Sequence, residues 1–323
     1  MAWVVQFNRG VWLPQIGWWL DAQLGAPRSF VSHAHSDHIA RHQSVLCTPA
    51  TARFMQARLG GKRAHTLLGF DQPHALELGC EVRLQPAGHI LGSAMFHATT
   101  EHGTLLYTGD FKLRPGLAAE RCATPRADVL IMETTFGKPR YVMPPSAEVA
   151  AQIVAFCQQA LAEKITPVLH AYSLGKTQEV LRIVGDAGLP VQLHPQSFRM
   201  TQLYEQCGLE FAPHAEFHAV THPGHVVISP PQADFLHLIH PRRTAVVTGW
   251  AVDSSAKYRY GCDAAFPLSD HADFPDLLAF VDLVQPKIVY TLHGFAREFA
   301  ATLRARGVEA WAIGQQNQME LSL

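Results

Sequence analysis

The chain has 323 residues, with 26 Lys and Arg against 27 Asp and Glu, a formal net charge of -1. Apolar residues make up 48% and charged residues 16%, which excludes a disordered chain. The charge balance excludes binding to nucleic acid through bulk charge, though not through a local basic groove. The length suggests about two domains and needs no disulfide or structural metal to fold. The unusual entry is His, at 19, a surplus that points to metal or proton chemistry. The six cysteines, Cys47, Cys80, Cys122, Cys157, Cys207 and Cys262, form no CxxC pair and read as reduced thiols of a cytoplasmic protein. The opening MAWVVQFNRGVWLP lacks a basic segment ahead of an apolar core, so no signal peptide is expected. No apolar run reaches the ~18 residues of a membrane span.

The first part of the chain reads as short strands and turns: Trp18–Leu20, Ser29–Ser32, Ser44–Cys47, Glu81–Leu84, Ala94–His97, Thr104–Thr108 and Val129–Met132. Pro49–Leu59 is the one early helix. After Gly137 the pattern changes. Lys138–Pro145 carries three prolines and reads as a linker. Ser146 reads as a helix cap, with Glu148 in the first turn. Strands Pro167–His170, Val191–Leu193, Val226–Ser229 and Ala245–Thr248 then alternate with helices near Gly175–Asp186 and Phe198–Cys207, the pattern of a parallel α/β layer. Asp273 and Pro275 open an amphipathic helix that presents Phe274, Leu277, Leu278, Val281 and Val284. Strand Ile288–Thr291 and helix Ala296–Arg306, stopped by Gly307, follow.

The sharpest motif is Ser32-His33-Ala34-His35-Ser36-Asp37-His38, directly after an apolar strand. Strand alternation puts His33 and His35 on one face, while Asp37 and His38 come from the turn. Neutral imidazoles with a carboxylate suit Zn²⁺ or a similar ion, and Mn²⁺ suits the same ligands.

With this motif the chain resembles the metallo-β-lactamase-fold hydrolases. Gly88-His89-Ile90-Leu91-Gly92-Ser93 and Gly109-Asp110 carry the resemblance further. It implies two Zn²⁺ ions: His33, His35 and His89 on one, Asp37 and His38 on the other, and Asp110 bridging. Asp21 matches an early Asp that orients ligands. Met132-Glu133-Thr134-Thr135-Phe136-Gly137, Leu268-Ser269-Asp270-His271-Ala272-Asp273-Phe274 and Tyr290-Thr291-Leu292-His293-Gly294 follow in order. These resemble the acidic and histidine motifs of the β-CASP nucleases. The resemblance implies that His293 completes the second metal and that His271 contacts the scissile phosphate or protonates the leaving group. Glu133 would hold His271 in position, and Asp37 would also orient the nucleophile.

Ala171-Tyr172-Ser173-Leu174-Gly175-Lys176 and Gly249-Trp250 extend the likeness to the bacterial DNA-ligase-associated exonucleases, relatives of Artemis-type repair nucleases. The fold this implies is α/β: a metallo-β-lactamase αββα sandwich over 1–137 and 262–323, with an α/β β-CASP domain inserted at 138–261. The implied activity is a two-metal DNA exonuclease, acting 5′ to 3′ in repair on single-stranded DNA or a free end, in association with an ATP-dependent DNA ligase. The alternatives are an RNA-processing nuclease of the mRNA 3′-end type and a small-molecule metallo-hydrolase.

Ser173, Gly175, Lys176 and Ser269 are expected at the substrate, Lys176 because it follows Gly175 at a helix start, where free N–H groups favour an anion. Arg199, Arg242, Arg243, Lys257 and Arg259, with Tyr258 and Tyr260, are further candidates for a nucleic-acid groove. Gly175-Lys176-Thr177 is not an ATP-binding loop, because position 170 is His where that loop needs Gly. The remaining histidines, His42 and His194 among them, lack ligand spacing and read as structural or surface groups.

Overall fold

The computed structural model describes residues 3–231 and 233–314. They form two compact units. One holds residues 3–115, Ala119–Tyr141 and 271–314; the other holds Gly116–Ala118 and Val142–Asp270.

The first unit contains two sheets. In the six-stranded sheet the order follows the chain: Gln6–Phe7, Val11–Leu13, Trp18–Leu20, Arg28–Phe30, Ser44–Cys47 and Ala64–Leu67. Its first three strands pair antiparallel and the rest parallel. The seven-stranded sheet runs Glu309–Ala312, Ile288–Leu292, Val129–Glu133, Gly103–Tyr107, Ala94–Thr100, Cys80–Pro86 and His74–Leu76. Its first two strands come from the end of the chain, so residues after the second unit complete this sheet.

Side-chain alternation builds the core of this unit. In Gly103–Tyr107, Leu105 and Tyr107 point into a cluster shared with Phe30, Leu46, Phe96 and Ile131. Leu106 points the other way, with Leu130 and Met132, onto Leu277, Phe280, Phe299 and Leu303 of the two C-terminal helices. Those helices are Phe274–Val284, capped by Asp273 accepting from Asp276 N, and Ala296–Ala305. Burying one Phe of this cluster stabilises by about 1.5–3 kcal/mol.

The second unit is a wholly parallel six-stranded sheet in the order His214–Glu216, Val191–Leu193, Val226–Ser229, Thr166–His170, Arg242–Val247, Ala264–Phe266. Helices Ser146–Ala162 and Lys176–Asp186 cover one face through Val149, Ile153, Val180 and Val184. Such strands are buried on both faces, which is why Thr166–His170 and Val226–Ser229 read as short continuous runs in the sequence.

The units part at residues 142 and 271, where the sequence pattern places the breaks at 138 and 262. Two contacts explain the shift. Tyr141 stays on the first unit, stacked on Phe295 and accepting from Phe274 N. Ala264–Phe266 stays on the second, paired with Ala245–Val247. Two helix starts also differ from expectation. Ser146 is the first residue of its helix rather than the cap, which falls on Pro145. The helix expected near Phe198 begins at Pro195, because His194 Nδ1 accepts from Gln196 N and serves as the cap.

Candidate metal centre

The centre is built where four strands of the first unit end. Arg28–Phe30 runs into the His33–His38 loop. The backbone of Ser32 is fixed by Asp21, which follows Trp18–Leu20 with φ +48. One buried carboxylate does most of the positioning. Asp21 Oδ1 accepts from Ser32 N at 2.7 Å. Its Oδ2 meets Ser32 Oγ at 2.6 Å, His38 Nδ1 at 2.8 Å and Tyr107 Oη at 2.8 Å.

These bonds set the tautomers. The Ser32 hydroxyl donates to Asp21, so at 3.0 Å it accepts from His33 Nδ1. The proton of His33 is therefore on Nδ1, and the Nε2 lone pair is free. His38 likewise gives its Nδ1 proton to Asp21, and its Nε2 lies 3.2 Å from Asp110 Oδ2 and 3.7 Å from Asp37 Oδ2. A carboxylate or hydroxyl behind each imidazole is the usual support of a metal-ligating histidine.

The other ligands arrive on tight turns. His89 N and Ile90 N both donate to Ser93 Oγ at 3.2 Å, which coils the His89 loop. Asp110 follows Gly109, where a Cβ would sit 2.5 Å from Ser32 Oγ, so only glycine lets the two loops meet. His293 ends Ile288–Leu292 in a left-handed conformation, φ +58, and its carbonyl accepts from Thr134 Oγ1 at 2.7 Å. Gly294 passes so close to Thr135 that a Cβ would lie 2.4 Å from its Cα.

One ligand atom each from His33, His35, His89 and Asp110 lies within 4.8 Å of the others. His89 Nε2 and His35 Nδ1 are 3.1 Å apart. Two nitrogens on one tetrahedral Zn²⁺ lie about 3.3 Å apart. His33 Nε2 is buried with no hydrogen-bond partner, a cost that a metal ion removes. Burial, then neighbouring His38, His89 and His35, push His33 well below the usual histidine range, so it is a neutral donor. Burial opposes charge on His38, but Asp110 and Asp21 outweigh it and hold His38 well above that range. Burial also opposes charge on Asp110, but His38 and His271 keep it ionised. The carboxylates thus call for a positive charge, which a divalent ion supplies in place of the His38 proton. The donor set fits a metal. Asp37, His38 and His293 extend it on the Asp110 side, with the His38 and His293 rings 5.8 Å apart.

Beside the donors stands a second device. Glu133, 1% exposed, ends Val129–Glu133. Its Oε1 meets His271 Nδ1 at 2.8 Å, and its Oε2 accepts from Thr135 N at 2.8 Å. Phe111 N reaches Oε1 at 3.4 Å, while Phe111 O accepts from Ala272 N at 2.8 Å. The turn after Asp110 is thereby tied to the turn that carries His271. The His271 ring lies 4.7 Å from that of His89. Nδ1 of His271 is thereby committed to Glu133.

The residues expected at the substrate, Ser173, Gly175, Lys176 and Ser269, lie in the second unit. Lys176 is 1% exposed. Its Nζ donates to Leu268 O at 2.8 Å and lies 3.4 Å from Asp270 Oδ1 and 3.6 Å from Glu179 Oε2. A lysine so enclosed does not meet a phosphate, and this corrects the expectation. Gly175 N donates to Gln178 Oε1, and Gln178 Nε2 donates to Ser173 O, so that helix start is capped by its own side chain. Ser269 is buried. Arg242 donates to Leu236 O and Ile239 O, Arg243 pairs with Glu163, and Arg259 with Asp253. Tyr107 and Ser32 are positioning groups that the sequence did not single out by role. Tyr107 looks like one more apolar residue of a strand until its hydroxyl is seen on Asp21.

Comparison with known proteins agrees with this geometry. Residues 264–313 match the Zn-dependent metallo-hydrolase RNA specificity domain. The chain is 56% identical over 329 residues to a "Probable DNA ligase" of Opitutus terrae, covering all of this chain and 32% of that protein. It is 30% identical over 275 residues to "5' exonuclease Apollo" of Gallus gallus, covering 81% of this chain and 57% of that protein. The chain thus spans a third to a little over half of these relatives. A solved protein of unknown function from Enterococcus faecalis V583 shares the fold, with TM-score 0.63, 12% identity, and 90% of this chain and 79% of that one covered. Two layered sheets closed by returning strands, a parallel α/β insertion and the histidine and carboxylate cluster give the chain a metallo-β-lactamase fold with a β-CASP insertion, and these relatives make it similar to the nucleases built on that fold.

Proposed function

We propose that this chain is a metal-dependent DNA exonuclease that hydrolyses phosphodiester bonds from the 5′ end of single-stranded or free-ended DNA, in repair and in association with an ATP-dependent DNA ligase. The observation that carries it is the placement of His271, held by Glu133, directly beside the His33, His35, His89 and Asp110 donors. The relative named a 5′ exonuclease favours DNA and the 5′ end; the relative named a ligase, a third of which this chain matches, favours the ligase association.

The family implies two Zn²⁺ ions, on His33, His35, His89 and Asp110 and on Asp37, His38, Asp110 and His293. Bound there, they stabilise charge on the phosphate and make water acidic near neutral pH. Ser32 and Asp21 keep protons on Nδ1 of His33 and His38, so both rings face the centre with lone pairs. Asp110 and Asp37 supply negative charge that holds the cations. Glu133 fixes His271 so that Nε2 can contact the phosphate or deliver a proton to the leaving oxygen.

A time course on 5′-phosphorylated single-stranded DNA and matched RNA tests this reading. Shortening of DNA from the 5′ end, abolished by a chelator and restored by Zn²⁺ or Mn²⁺, is expected. Activity on RNA alone would establish the second reading, an RNA-processing nuclease, which the RNA specificity domain match favours. Thioester hydrolysis surviving His271→Ala would replace both.

A further inference from the structure

Between Asp37 and Asp71 the sequence contains no Asp or Glu, but it contains Arg41, Arg53, Arg58, Lys62 and Arg63. Elsewhere in the first unit several cations are matched: Arg28 with Glu77, Arg83 with Glu81, Lys138 with Glu298, Lys287 with Asp128, Arg306 with Asp282. Among the described residues, none of the five has a carboxylate within ion-pair distance. Arg41, Arg53, Arg58 and Lys62 are exposed. Arg63 alone is partly used, donating to Gly60 O. In a chain of net charge -1, so long a stretch without an acid leaves this segment with a surplus of positive charge.

That segment adjoins the metal centre. Arg41 follows the ligand His38 by one turn of chain. Helix Pro49–Leu59 is fastened to the His89 loop: Thr48 Oγ1 and Thr51 Oγ1 both donate to Gly92 O, at 2.7 and 3.1 Å. A Cβ on Gly92 would meet Ala50 Cβ at 2.5 Å, so loop and helix start are in contact. Arg58 stands at the far end of the helix. The helix C-terminus accounts for one cation, Arg58. It does not account for Arg41, Arg53 or Lys62.

We propose that Arg41, Arg53, Arg58 and Lys62 form a docking face for the phosphate backbone of the nucleic-acid strand on its way to the metal centre. The inference rests on the nuclease reading above and adds where the strand lies. Exposed, unpaired cations suit a polyanion, because binding releases the counterions condensed on it.

The test is the salt dependence of binding. The probe is a fluorescent, 5′-phosphorylated 30-nucleotide single strand, followed by anisotropy on the metal-loaded protein. Each cation on the strand contributes about 0.7 to the slope of log affinity against log salt. The triple variant Arg53→Gln, Arg58→Gln, Lys62→Gln should lower that slope by about 2. Its KM for the strand should rise about tenfold at constant kcat. Its melting temperature and its turnover of bis(p-nitrophenyl) phosphate should stay at the wild-type values. A control triple, Arg182→Gln, Lys287→Gln, Arg306→Gln, should leave the slope unchanged. An unchanged slope in the first triple, or an equal fall in both triples, overturns the proposal. Absence of phosphodiesterase activity in the wild type would overturn the nuclease reading instead, and the binding slope would still decide the face.

Discussion

At the scale of single residues, one carboxylate controls two histidines. Asp21 fixes the proton on His38 directly and on His33 through Ser32, and Tyr107 donates to the same oxygen. Tyr107→Phe removes only that hydroxyl from a fully packed ring. It should weaken metal affinity about tenfold without lowering the melting temperature much, as read by competition with a chelating dye. Unchanged affinity would show that Asp21 needs no such support. Asp110→Asn should lose metal and activity together, by metal analysis after gentle purification. His271→Ala should keep its metal and lose turnover by about 10²–10⁴-fold; loss of both would make His271 a ligand. The grouping of His33, His35, His89 and Asp110 was legible because histidines and aspartates in that order are rare by chance. Tyr107 was not, since a residue one alternation from Leu105 looks like core. Lys176 was misread because a Gly-Lys pair at a helix start looks the same whether the lysine faces solvent or folds under onto Leu268 and Asp270.

His42 is a residue with a pH consequence. It is 3% exposed, and its Nδ1 accepts from Ala26 N at 3.2 Å. Burial, with nearby Arg63 adding to it and Asp21 opposing, pushes it down from 6.5 to about 4. Between those values the unfolded chain takes a proton that the folded chain refuses. Stability is therefore complete above about pH 6.5 and falls as pH drops towards 4, by on the order of 3 kcal/mol from this one group. Urea unfolding at pH 7 and pH 4.5 should show that loss in the wild type, and His42→Gln should show a shallower one.

At the scale of elements, turns do the assembling. Arg114 lies four residues after Asp110 and bonds Asp273 at 2.5 Å and Asp276 at 3.0 Å. Asp273 caps helix Phe274–Val284, two residues after His271. The arginine thus ties a metal-ligand turn to the start of the helix behind His271, alongside the Phe111–Ala272 backbone bond. Arg114→Met should keep metal content and KM but lower kcat by about 10- to 100-fold, and Arg114→Lys should recover part of it. A fall in metal content would assign Arg114 to the Asp110 side instead. Strong elements were readable from sequence: Trp18–Leu20, Ser44–Cys47, Pro49–Leu59, Val191–Leu193 and Val226–Ser229 have the expected bounds. Short or polar strands were not. Ala64–Leu67 is mostly exposed, so no alternation marks it, and its pairing with Ser44–Cys47 alone makes it a strand.

At the scale of the whole molecule, the order of the site residues along the chain matters. His33, His35, Asp37, His38, His89 and Asp110 all precede the second unit, while His271 and His293 follow it. The strands Ile288–Leu292 and Glu309–Ala312 also join the seven-stranded sheet only then. The architecture was legible as a β-rich start, an α/β middle and a return, because strand and helix periodicities change where the units change. The exact borders were not, since they depend on Tyr141 stacking and on the Ala264–Phe266 pairing. This arrangement has a consequence for synthesis. A ribosome releases His33 to Asp110 long before His271 and His293, so the set of site residues is complete only after the second unit has been made.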